Sequence, residues 1–367
     1  MNNNIVPAIV LGAVGAALSL ILVPVFSKWG PRWGLLDHPG GRKQHAHAVP
    51  LVGGLAIMVS GFIALAVGSL WGLHTGGFSW WFIGAIAVIL MIGVCDDVFE
   101  LSHRIKALLQ ILVILPLIFM TNFKVTAVGS IFGDGAVHLG DLAIPFTLIC
   151  LLGYLNAANM IDGLDGLAAG VAFIAMFFLA IFAAMLHLFG WFADMLAFAA
   201  ATLGFLVYNL RTPWRRRAMA FLGDGGSLLL GLLVGWCSVR IAAEPGPLAV
   251  SPANVAWVLA LPVMDTLVVM GRRMGGGHSP FKPDRLHLHH VLVDLGFSPC
   301  QATWTLLALS FVYGLYGFMA HVFGIPDLIL FVSFLGVLFV HVSFVFLAHR
   351  HKSPQSLHLA LRDFFAQ

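Results

Sequence analysis

Charged residues are scarce in this sequence. Asp, Glu, Lys and Arg make up 10% of its 367 residues, whereas a soluble domain carries roughly 25%. Hydrophobic residues make up 60%, and the mean hydropathy is +0.97. A water-soluble fold of this size could not bury so much apolar surface, so the composition excludes a soluble enzyme and predicts a protein embedded in lipid.

Cysteine is also sparse, and no CxxC pair is present. The four cysteines are widely spaced: Cys95, Cys150, Cys237 and Cys300. We therefore expect neither a disulfide bond nor a metal–thiolate site. The first apolar stretch lacks a basic leader and a small-residue cleavage site, which predicts a retained helix rather than a signal peptide. No repeat, low-complexity tract or soluble stretch interrupts the chain, so residues 1–367 are predicted to form a single polytopic membrane domain.

Long apolar runs fill most of the chain. A helix needs about 20 apolar residues to cross the ~30 Å hydrocarbon core of a bilayer. The candidate runs are 5–26, 51–71, 80–95, 106–121, 141–157, 166–188, 191–210, 224–243, 253–271, 302–322 and 326–348. This pattern predicts an all-α integral membrane protein with about eleven transmembrane helices.

The basic residues predict the orientation of these helices. Seventeen of the nineteen Lys and Arg residues fall in alternate connections and in the tail, and the exceptions are Lys124 and Arg240. The connections are 27–50, 96–106, 211–223 and 272–301. Basic residues favour the cytoplasmic side, so we expect the N-terminus outside and the C-terminus in the cytoplasm. On the outer side, alternating residues and glycines in 122–140 predict a small hairpin.

The acidic residues follow the same asymmetry. Nine of them lie on the predicted cytoplasmic connections or at helix ends on that side: Asp37, Asp96, Asp97, Glu100, Asp162, Asp165, Asp224, Asp265 and Asp284. A charge close to hydrocarbon is costly, so such residues are functional by default. Carboxylates, basic residues and histidines on one face are what a metal-bound diphosphate requires. An active site on the cytoplasmic loops is therefore expected.

The first polar motif is the Asp96–Asp97 pair in the run CDDVFELSHRIK. Adjacent carboxylates repel, and both stay ionised only if a cation lies nearby; otherwise one pKa rises. The pair could simply end a span as solvated charges. Lys106 follows at a distance that lets it face the same site, which favours a functional pair.

Two glycine-containing motifs come next. In NAANMIDGLDGLAAG, Asp162 or Asp165 could cap the following span, but capping does not account for two Asn, two Asp and two turn-forming Gly in one stretch. That stretch favours a binding loop. In FLGDGGSLLLG, a glycine-rich turn opens a helix whose N-terminus suits an anion. Asp224 in this turn either caps the helix or holds a metal, and the motif alone is weak.

Two further loops are rich in hydrogen-bond donors. The run HSPFKPDRLHLHHVL carries Arg285 beside three histidines: His287, His289 and His290. A Zn²⁺ site is one alternative, but no cysteine or suitably spaced carboxylate completes it, so phosphate contact is favoured. The first loop adds Arg42, Lys43 and His45. These residues could also be the basic residues that orient a cytoplasmic loop and contact lipid headgroups.

Taken together and in order, these five segments resemble the polyprenyl-phosphate N-acetylhexosamine-1-phosphate transferases, over residues from about 34 to 300. The HLHH run and the SPFKPDR run before it are similar to the bacterial undecaprenyl-phosphate N-acetylglucosamine-1-phosphate transferases. The resemblance implies transfer of GlcNAc-1-phosphate from UDP-GlcNAc to undecaprenyl phosphate, with UMP and GlcNAc-diphosphoundecaprenol as products. It also implies the bacterial inner membrane and the first membrane step of O-antigen or related envelope glycan synthesis.

The resemblance assigns roles to the carboxylates and their neighbours. Asp96 and Asp97 are expected to be the catalytic carboxylates, and Lys106 is expected to approach the lipid phosphate. Asp224 is expected to bind Mg²⁺ directly, with Mn²⁺ as an alternative ion, and Asn159 to lie at the metal. These roles follow from the match of DDVFELSHRIK, NAANMIDGLDGL and FLGDGGS to the family's motifs.

The resemblance also implies substrate contacts. Asp165 is expected near the uridine, and Arg285 and His287 are expected to grip the diphosphate and the amino sugar. The other residues expected to bind substrate are Asp162, His289, His290, Arg42, Lys43 and His45. The expected partners are UDP-GlcNAc, undecaprenyl phosphate and the bilayer, with no nucleic acid. The sequence leaves the oligomeric state open.

Two alternatives stay open. The same transfer could use another UDP-N-acetylhexosamine as the donor. A secondary transporter would belong to a different class, and its polar residues should lie near the middle of the membrane in repeated halves. The polar residues of this chain gather at one predicted face and no repeat is visible, which favours the enzyme.

Overall fold

The computed structural model describes residues 2–37, 48–72, 77–133, 135–212, 214–215, 217–246, 248–277 and 287–350. The helices of the described part are α1 (Asn2–Trp29), α2 (Gly53–Leu70), α3 (Trp80–Phe99), α4 (His103–Thr121), α5 (Ala143–Met160), α6 (Leu167–Met185), α7 (Phe189–Asn209), α8 (Gly223–Ala242), α9 (Pro252–Val258), α10 (Ala260–Gly275), α11 (Leu288–Asp294), α12 (Pro299–Val322) and α13 (Asp327–Arg350). Two short strands, β1 (Leu36–Asp37) and β2 (Val49–Pro50), form an antiparallel pair.

Most of these helices are long enough to cross a bilayer. In the described residues, ten have the length and apolar composition of a membrane span, or up to eleven if the bent pair α9 and α10 is counted as one. The predicted fold class, an all-α multi-pass membrane protein with about eleven spans, is therefore confirmed. The direction of each span relative to the cytoplasm stays a prediction.

The ninth predicted span, 253–271, is not one straight helix. It consists of α9 and α10, which meet at an angle of 81°. Pro262 lies in the first turn of α10. Its nitrogen donates no hydrogen bond, and its ring conflicts with the carbonyl four residues earlier, at Val258. A proline at this position is consistent with a helix break just before α10.

The centre of the bundle is α8, which is buried along nearly its whole length, whereas α13 is largely exposed. Glycines allow α2 and α3 to approach the first turn of α8 closely. A Cβ added to Gly93 of α3 would lie 2.4 Å from the Cα of Gly225, and one added to Gly54 of α2 would lie 2.3 Å from the Cα of Gly226. The C-terminal end of α3 therefore contacts the start of α8 through main-chain atoms.

The strand pair attaches the base of the first loop near the start of α8. Leu36 lies opposite Pro50 in the ladder between β1 and β2. The chain after β2 continues the pairing, because Leu51 forms a bridge with Phe221 and the Phe221 amide donates to the Pro50 carbonyl at 2.9 Å. The base of the first loop is thus attached to the segment that leads into α8.

The small hairpin predicted within 122–140 is confirmed in the described residues. Ala127 pairs antiparallel with His138. The Val128 amide donates to the Val137 carbonyl at 3.0 Å. This hairpin lies at the opposite ends of the helices from the Asp96–Asp97 pair, since it follows the end of α4 whose start carries Lys106.

Candidate active site

The first element of the site is the C-terminal end of α3, which carries the Asp96–Asp97 pair. The helix ends at Glu100, which adopts a left-handed conformation with φ of 50°. Such a residue turns the chain away from the helix axis. The turn brings the Leu101 amide back to donate to Asp96 Oδ1 at 2.8 Å. The position of the Asp96 carboxylate is therefore set by the main chain.

Asp97 connects α3 to α8. Its Oδ1 accepts a hydrogen bond from the Asp224 amide at 2.9 Å, and its Oδ2 accepts one from the Gly225 amide at 3.2 Å. The first amides of a helix have no partner within that helix, and an anion is favoured at this end. Asp97 thus caps α8 from a different helix.

Lys106, at the start of α4, brings three elements together. Its Nζ lies 2.5 Å from Asp96 Oδ2, 3.0 Å from Asn159 Oδ1 and 3.2 Å from Asp224 Oδ2. The carboxylate of α3, the amide oxygen of α5 and the carboxylate of α8 therefore converge on one ammonium group.

Asn159 fixes the orientation of Asp224. Its Nδ2 donates to Asp224 Oδ1 at 2.8 Å and to the Ser227 hydroxyl at 2.8 Å. The Asp224 side chain keeps 39% of its surface exposed, compared with 12% for Lys106 and 9% for Asp96. Asp224 is therefore the carboxylate of this cluster that a ligand can reach most easily.

The arrangement fits a divalent cation. The ammonium of Lys106 lies where oxygens of Asp96, Asn159 and Asp224 meet, which is how oxygen ligands surround a positive ion. Mg²⁺ in proteins is usually held by one or two carboxylates together with water and substrate phosphates. Among the described residues, no group of three His, Cys, Asp or Glu side chains has the geometry of a complete metal site. These oxygens therefore suit a shared site, completed by a phosphorylated substrate.

A fourth carboxyl group lies close enough to the same cluster to be affected by its charge. Asp162 lies in the turn between α5 and α6. Burial, together with the negative charges of Asp224, Asp97 and Asp165, raises the pKa of Asp162 well above its usual range. Carboxyl groups from three parts of the chain are thus close enough to repel one another, so positive charge at this place stabilises the cluster.

Asp165 is held by a different partner. Its Oδ2 lies 2.5 Å from Nε of Arg211. The next residue, Gly166, has φ of 81° and donates its amide to Oδ1 of Asn209 at 2.7 Å. The loop is therefore anchored to the end of α7 through Asp165 and Gly166. The role of Asp165 near the uridine stays a prediction.

The histidine segment is positioned by Asp265, a residue of α10. Nδ1 of His287 lies 2.8 Å from Asp265 Oδ2, and the Leu288 amide donates to Asp265 Oδ1 at 2.8 Å. Asp265 is 2% exposed and His287 is 5% exposed. Sequence reasoning placed Asp265 on the polar face but found no partner for it.

His289 packs the histidine segment against the Asp162 loop. A Cβ added to Gly163 would lie 2.0 Å from His289 Nε2. Burial, with the neighbouring His290, lowers the pKa of His289 to about 3, so its ring is neutral at pH 7. Both ring nitrogens are buried without a hydrogen-bond partner among the described residues. Buried polar atoms of this kind are rare unless a ligand or water meets them.

Most predicted site residues within the described part come together. The residues joined by direct hydrogen bonds are Asp96, Asp97, Lys106, Asn159 and Asp224. Asp162 lies near them, His287 and His289 stack beside its loop, and the His290 ring contacts that of His289. Four predicted residues lie outside the described residues: Arg42, Lys43, His45 and Arg285. The supporting residues that sequence reasoning did not assign are Asn209, Arg211, Ser227 and Asp265.

The chain is similar to known membrane transferases. The family model described as glycosyl transferase family 4 matches residues 79–242, which include the Asp pair, the Asn159 loop and Asp224. The undecaprenyl-phosphate alpha-N-acetylglucosaminyl 1-phosphate transferase of Escherichia coli O157:H7 is 33% identical over 272 residues, 73% of this chain and 72% of that protein. The protein of the same name from Haemophilus influenzae is 30% identical over 333 residues, 90% of each chain.

Proposed function

The chain belongs to glycosyl transferase family 4, and we propose that it transfers GlcNAc-1-phosphate from UDP-GlcNAc to undecaprenyl phosphate. The products are GlcNAc-diphosphoundecaprenol and UMP. The family and the names of the relatives identify a polyprenyl-phosphate hexosamine-1-phosphate transferase. The choice of GlcNAc, of the undecaprenyl chain and of the O-antigen or a related pathway belongs to the proposal.

The observation that carries the proposal is the convergence of Asp96, Asn159 and Asp224 on one ammonium group. The donor is a diphosphate and the acceptor is a phosphate monoester, so the two substrates repel each other. A reaction between them needs positive charge between the phosphates and negative ligands that hold that charge. This cluster offers both.

The chemistry needs little help from a general base. A phosphate monoester has a second pKa of about 6, so the acceptor is largely dianionic at neutral pH. Its oxygen attacks the phosphorus next to the sugar, the bond to the UMP oxygen breaks, and UMP leaves. Asp97 already accepts hydrogen bonds on both oxygens, which supports a role in holding α8 rather than in removing a proton.

The residues of the cluster have separate roles. Mg²⁺ or Mn²⁺ would be held by Asp224 and Asn159, and when bound it stabilises the negative charge on the diphosphate. Asp96 directs the ammonium of Lys106 toward the place where the acceptor phosphate approaches. Asp97 and the close contacts between α3 and α8 keep these groups at a fixed separation, which lowers the cost of reorganisation during the reaction.

The other predicted contacts complete the substrate site. We propose that His287, with Arg285, binds the diphosphate and the amino sugar, and that His289 and His290 lie beside them. Arg42, Lys43 and His45 belong to the first loop, whose base is attached to the segment before α8. That attachment supports a role for the first loop near Asp224.

The proposed setting is the bacterial inner membrane. The distribution of Lys and Arg supports an N-terminus outside, a C-terminus in the cytoplasm and an active site on the cytoplasmic face. The hairpin that follows α4 would then face the outside. The bilayer is a partner of the multi-pass fold, and the acceptor lipid enters from it.

The test is release of UMP by purified full-length protein given undecaprenyl phosphate, Mg²⁺ and a panel of UDP-N-acetylhexosamines. We expect UDP-GlcNAc to give the highest kcat/KM. A higher value for another donor would replace the proposed sugar, and transport of a solute into vesicles without UMP would reject the enzyme.

The metal role has its own test. Asp224→Asn should weaken the binding of Mg²⁺, so that half-maximal activity requires at least tenfold more metal. Asp141→Asn, an exposed carboxylate outside the cluster, is the matched control. An unchanged Mg²⁺ titration for Asp224→Asn would refute the assignment. Radiolabel trapped on the protein without acceptor lipid would show a covalent step instead of direct transfer.

A further inference from the structure

Asp265 stands out because it is a buried carboxylate whose partners come from two other helices. It lies just after the break between α9 and α10 and is 2% exposed. Its Oδ2 lies 2.8 Å from Nδ1 of His287, and its Oδ1 accepts from the Leu288 amide at 2.8 Å. Nε2 of His341, on α13, lies 3.8 Å from Oδ1. A charge buried this deeply requires such partners.

The hydrogen bonds of Asp265 determine which nitrogen of His287 carries a proton. The Leu288 amide can only donate, so Oδ1 is an acceptor. An ionised carboxylate has no proton to donate from Oδ2 either, so Nδ1 of His287 must be the donor. The ring is therefore fixed with Nδ1–H toward Asp265, and Nε2 is the nitrogen left for a ligand.

The surroundings of His287 show where that ligand would be. Its ring lies parallel to that of His289, with centroids 5.7 Å apart and an interplanar angle of 10°. His289 in turn contacts Gly163. Gly163 follows Asp162, and the charge of Asp224 raises the pKa of the Asp162 carboxyl group. The His287 ring is thus connected, through His289, to the loop that carries Asp162.

We propose that Asp265 is a positioning residue for sugar-phosphate transfer. It holds the His287 ring so that the Nε2 lone pair accepts a hydrogen bond from a hydroxyl or amide N–H group of the sugar nucleotide. Asp265 itself does not touch the substrate. The proposal rests on the proposed function, since it assigns the ligand of His287 as the donor sugar nucleotide.

A purely structural role for Asp265 is the competing explanation. The carboxylate accepts from the first residue of α11 and would stabilise that seven-residue helix as a cap does. Asp265→Asn separates the two roles, because it keeps the acceptor for the Leu288 amide but changes the proton position on the His287 ring. The amide oxygen must still accept from the Leu288 amide, so the NH₂ group faces Nδ1 of His287. Nδ1 then has to be an acceptor, which places the ring proton on Nε2 and removes the lone pair that would accept from the sugar nucleotide.

The kinetic test compares Asp265→Asn, His287→Gln and the double variant in the full-length protein. We expect Asp265→Asn to lower kcat/KM for UDP-GlcNAc by about 10- to 100-fold, with KM for undecaprenyl phosphate unchanged within about twofold. The double variant should be no worse than His287→Gln. Asp194→Asn is the matched control, because Asp194 is fully buried and accepts from the Phe78 amide at the far end of α7.

A second readout is independent of activity. The measurement is nitrogen NMR of protein labelled with ¹⁵N-histidine, in which the His287 signals are identified by their loss in His287→Gln. We expect a proton on Nδ1 of His287 in the wild type and on Nε2 in Asp265→Asn. A wild-type ring without a proton on Nδ1 overturns the proposal whether or not the Asn variant folds. Equal losses for both substrates, or additive losses in the double variant, also overturn it. If the wild type releases no UMP from any donor, the proposed function fails, while the NMR result still decides the coupling of Asp265 to His287.

Discussion

Lys106 offers the sharpest test of the carboxylate cluster. Replacing it with Met keeps most of its apolar length and removes the ammonium that lies 2.5 Å from Asp96 and 3.2 Å from Asp224. At an effective dielectric constant of 20, these two contacts correspond to gross attractions of about 7 and 5 kcal/mol. Desolvation of the ammonium opposes them, and the partly exposed Asp224 is screened by solvent.

The net loss of stability in Lys106→Met comes from the acidic side chains that remain without their cation. Removing one partner of a buried ion pair costs about 3–5 kcal/mol, because the remaining charge has no partner. An unfolding entropy of about 2.1 cal/mol/K per residue gives about 0.8 kcal/mol/K for a chain of 367 residues. The expected drop in Tm for Lys106→Met in metal-free buffer is therefore about 4–6 °C.

Magnesium should reverse part of this loss. A ligand at 100 times its Kd stabilises a protein by about 2.7 kcal/mol, or roughly 3–4 °C here. The ammonium of Lys106 already lies among the oxygens that would bind the ion, so the gain should be larger in Lys106→Met than in the wild type, while UMP release is lost. Thermal unfolding in detergent, with and without Mg²⁺, measures both effects.

The control for this prediction is Lys124→Met, because the Lys124 ammonium donates to Asn122 beside the hairpin that follows α4. That variant should match the wild type in Tm, in the increase of Tm on adding Mg²⁺ and in UMP release. Equal Mg²⁺ gains for the wild type and Lys106→Met would refute the reasoning, as would a Lys106→Met protein that is more stable than the wild type without metal.

Three other variants test neighbouring parts of the site. Asp97→Asn should lower Tm by an amount equivalent to about 1–3 kcal/mol and reduce UMP release, because its NH₂ group would face an amide at the start of α8; an unchanged Tm contradicts this. Gly163→Ala should raise KM for UDP-GlcNAc at least tenfold, since its Cβ would lie 2.0 Å from His289, whereas Gly153→Ala, with open space around it, should be neutral. His289 has a pKa of about 3 in the folded protein and about 6.5 when unfolded, so the unfolded state binds more protons and stability falls as pH drops below 6.5. Between pH 7.5 and pH 5 this loss is about 2 kcal/mol, and His289→Gln should reduce the corresponding drop in Tm.

Local pattern was enough to predict the helices and the first half of the site. Apolar runs of the length of a bilayer identify the spans without any knowledge of their packing. The spacing between Asp96 and Lys106 also carries information, since both lie at helix ends joined by a three-residue connection. Two charges in that arrangement can face each other, and the structure places them 2.5 Å apart.

Support from distant residues could not be predicted in the same way. Asp265 and His287 are 22 residues apart, and no local pattern pairs them. The 81° bend between α9 and α10 was not predicted either. Pro262 is consistent with that bend, but a proline in an apolar run does not specify its angle or its neighbours. Asp165 shows the same limit, because its partner Arg211 lies on the connection after α7 and nothing in the local sequence links the two.

The glycine contacts of α8 have a consequence for how this enzyme can diversify. Any side chain at Gly93 would push apart the helices that carry Asp96 and Asp224, so the spacing of these two acids is invariant while the fold is kept. Mutations that alter sugar preference without loss of catalysis should therefore accumulate on the histidine side, around α11. A library restricted to that side is the efficient starting point for engineering a new donor.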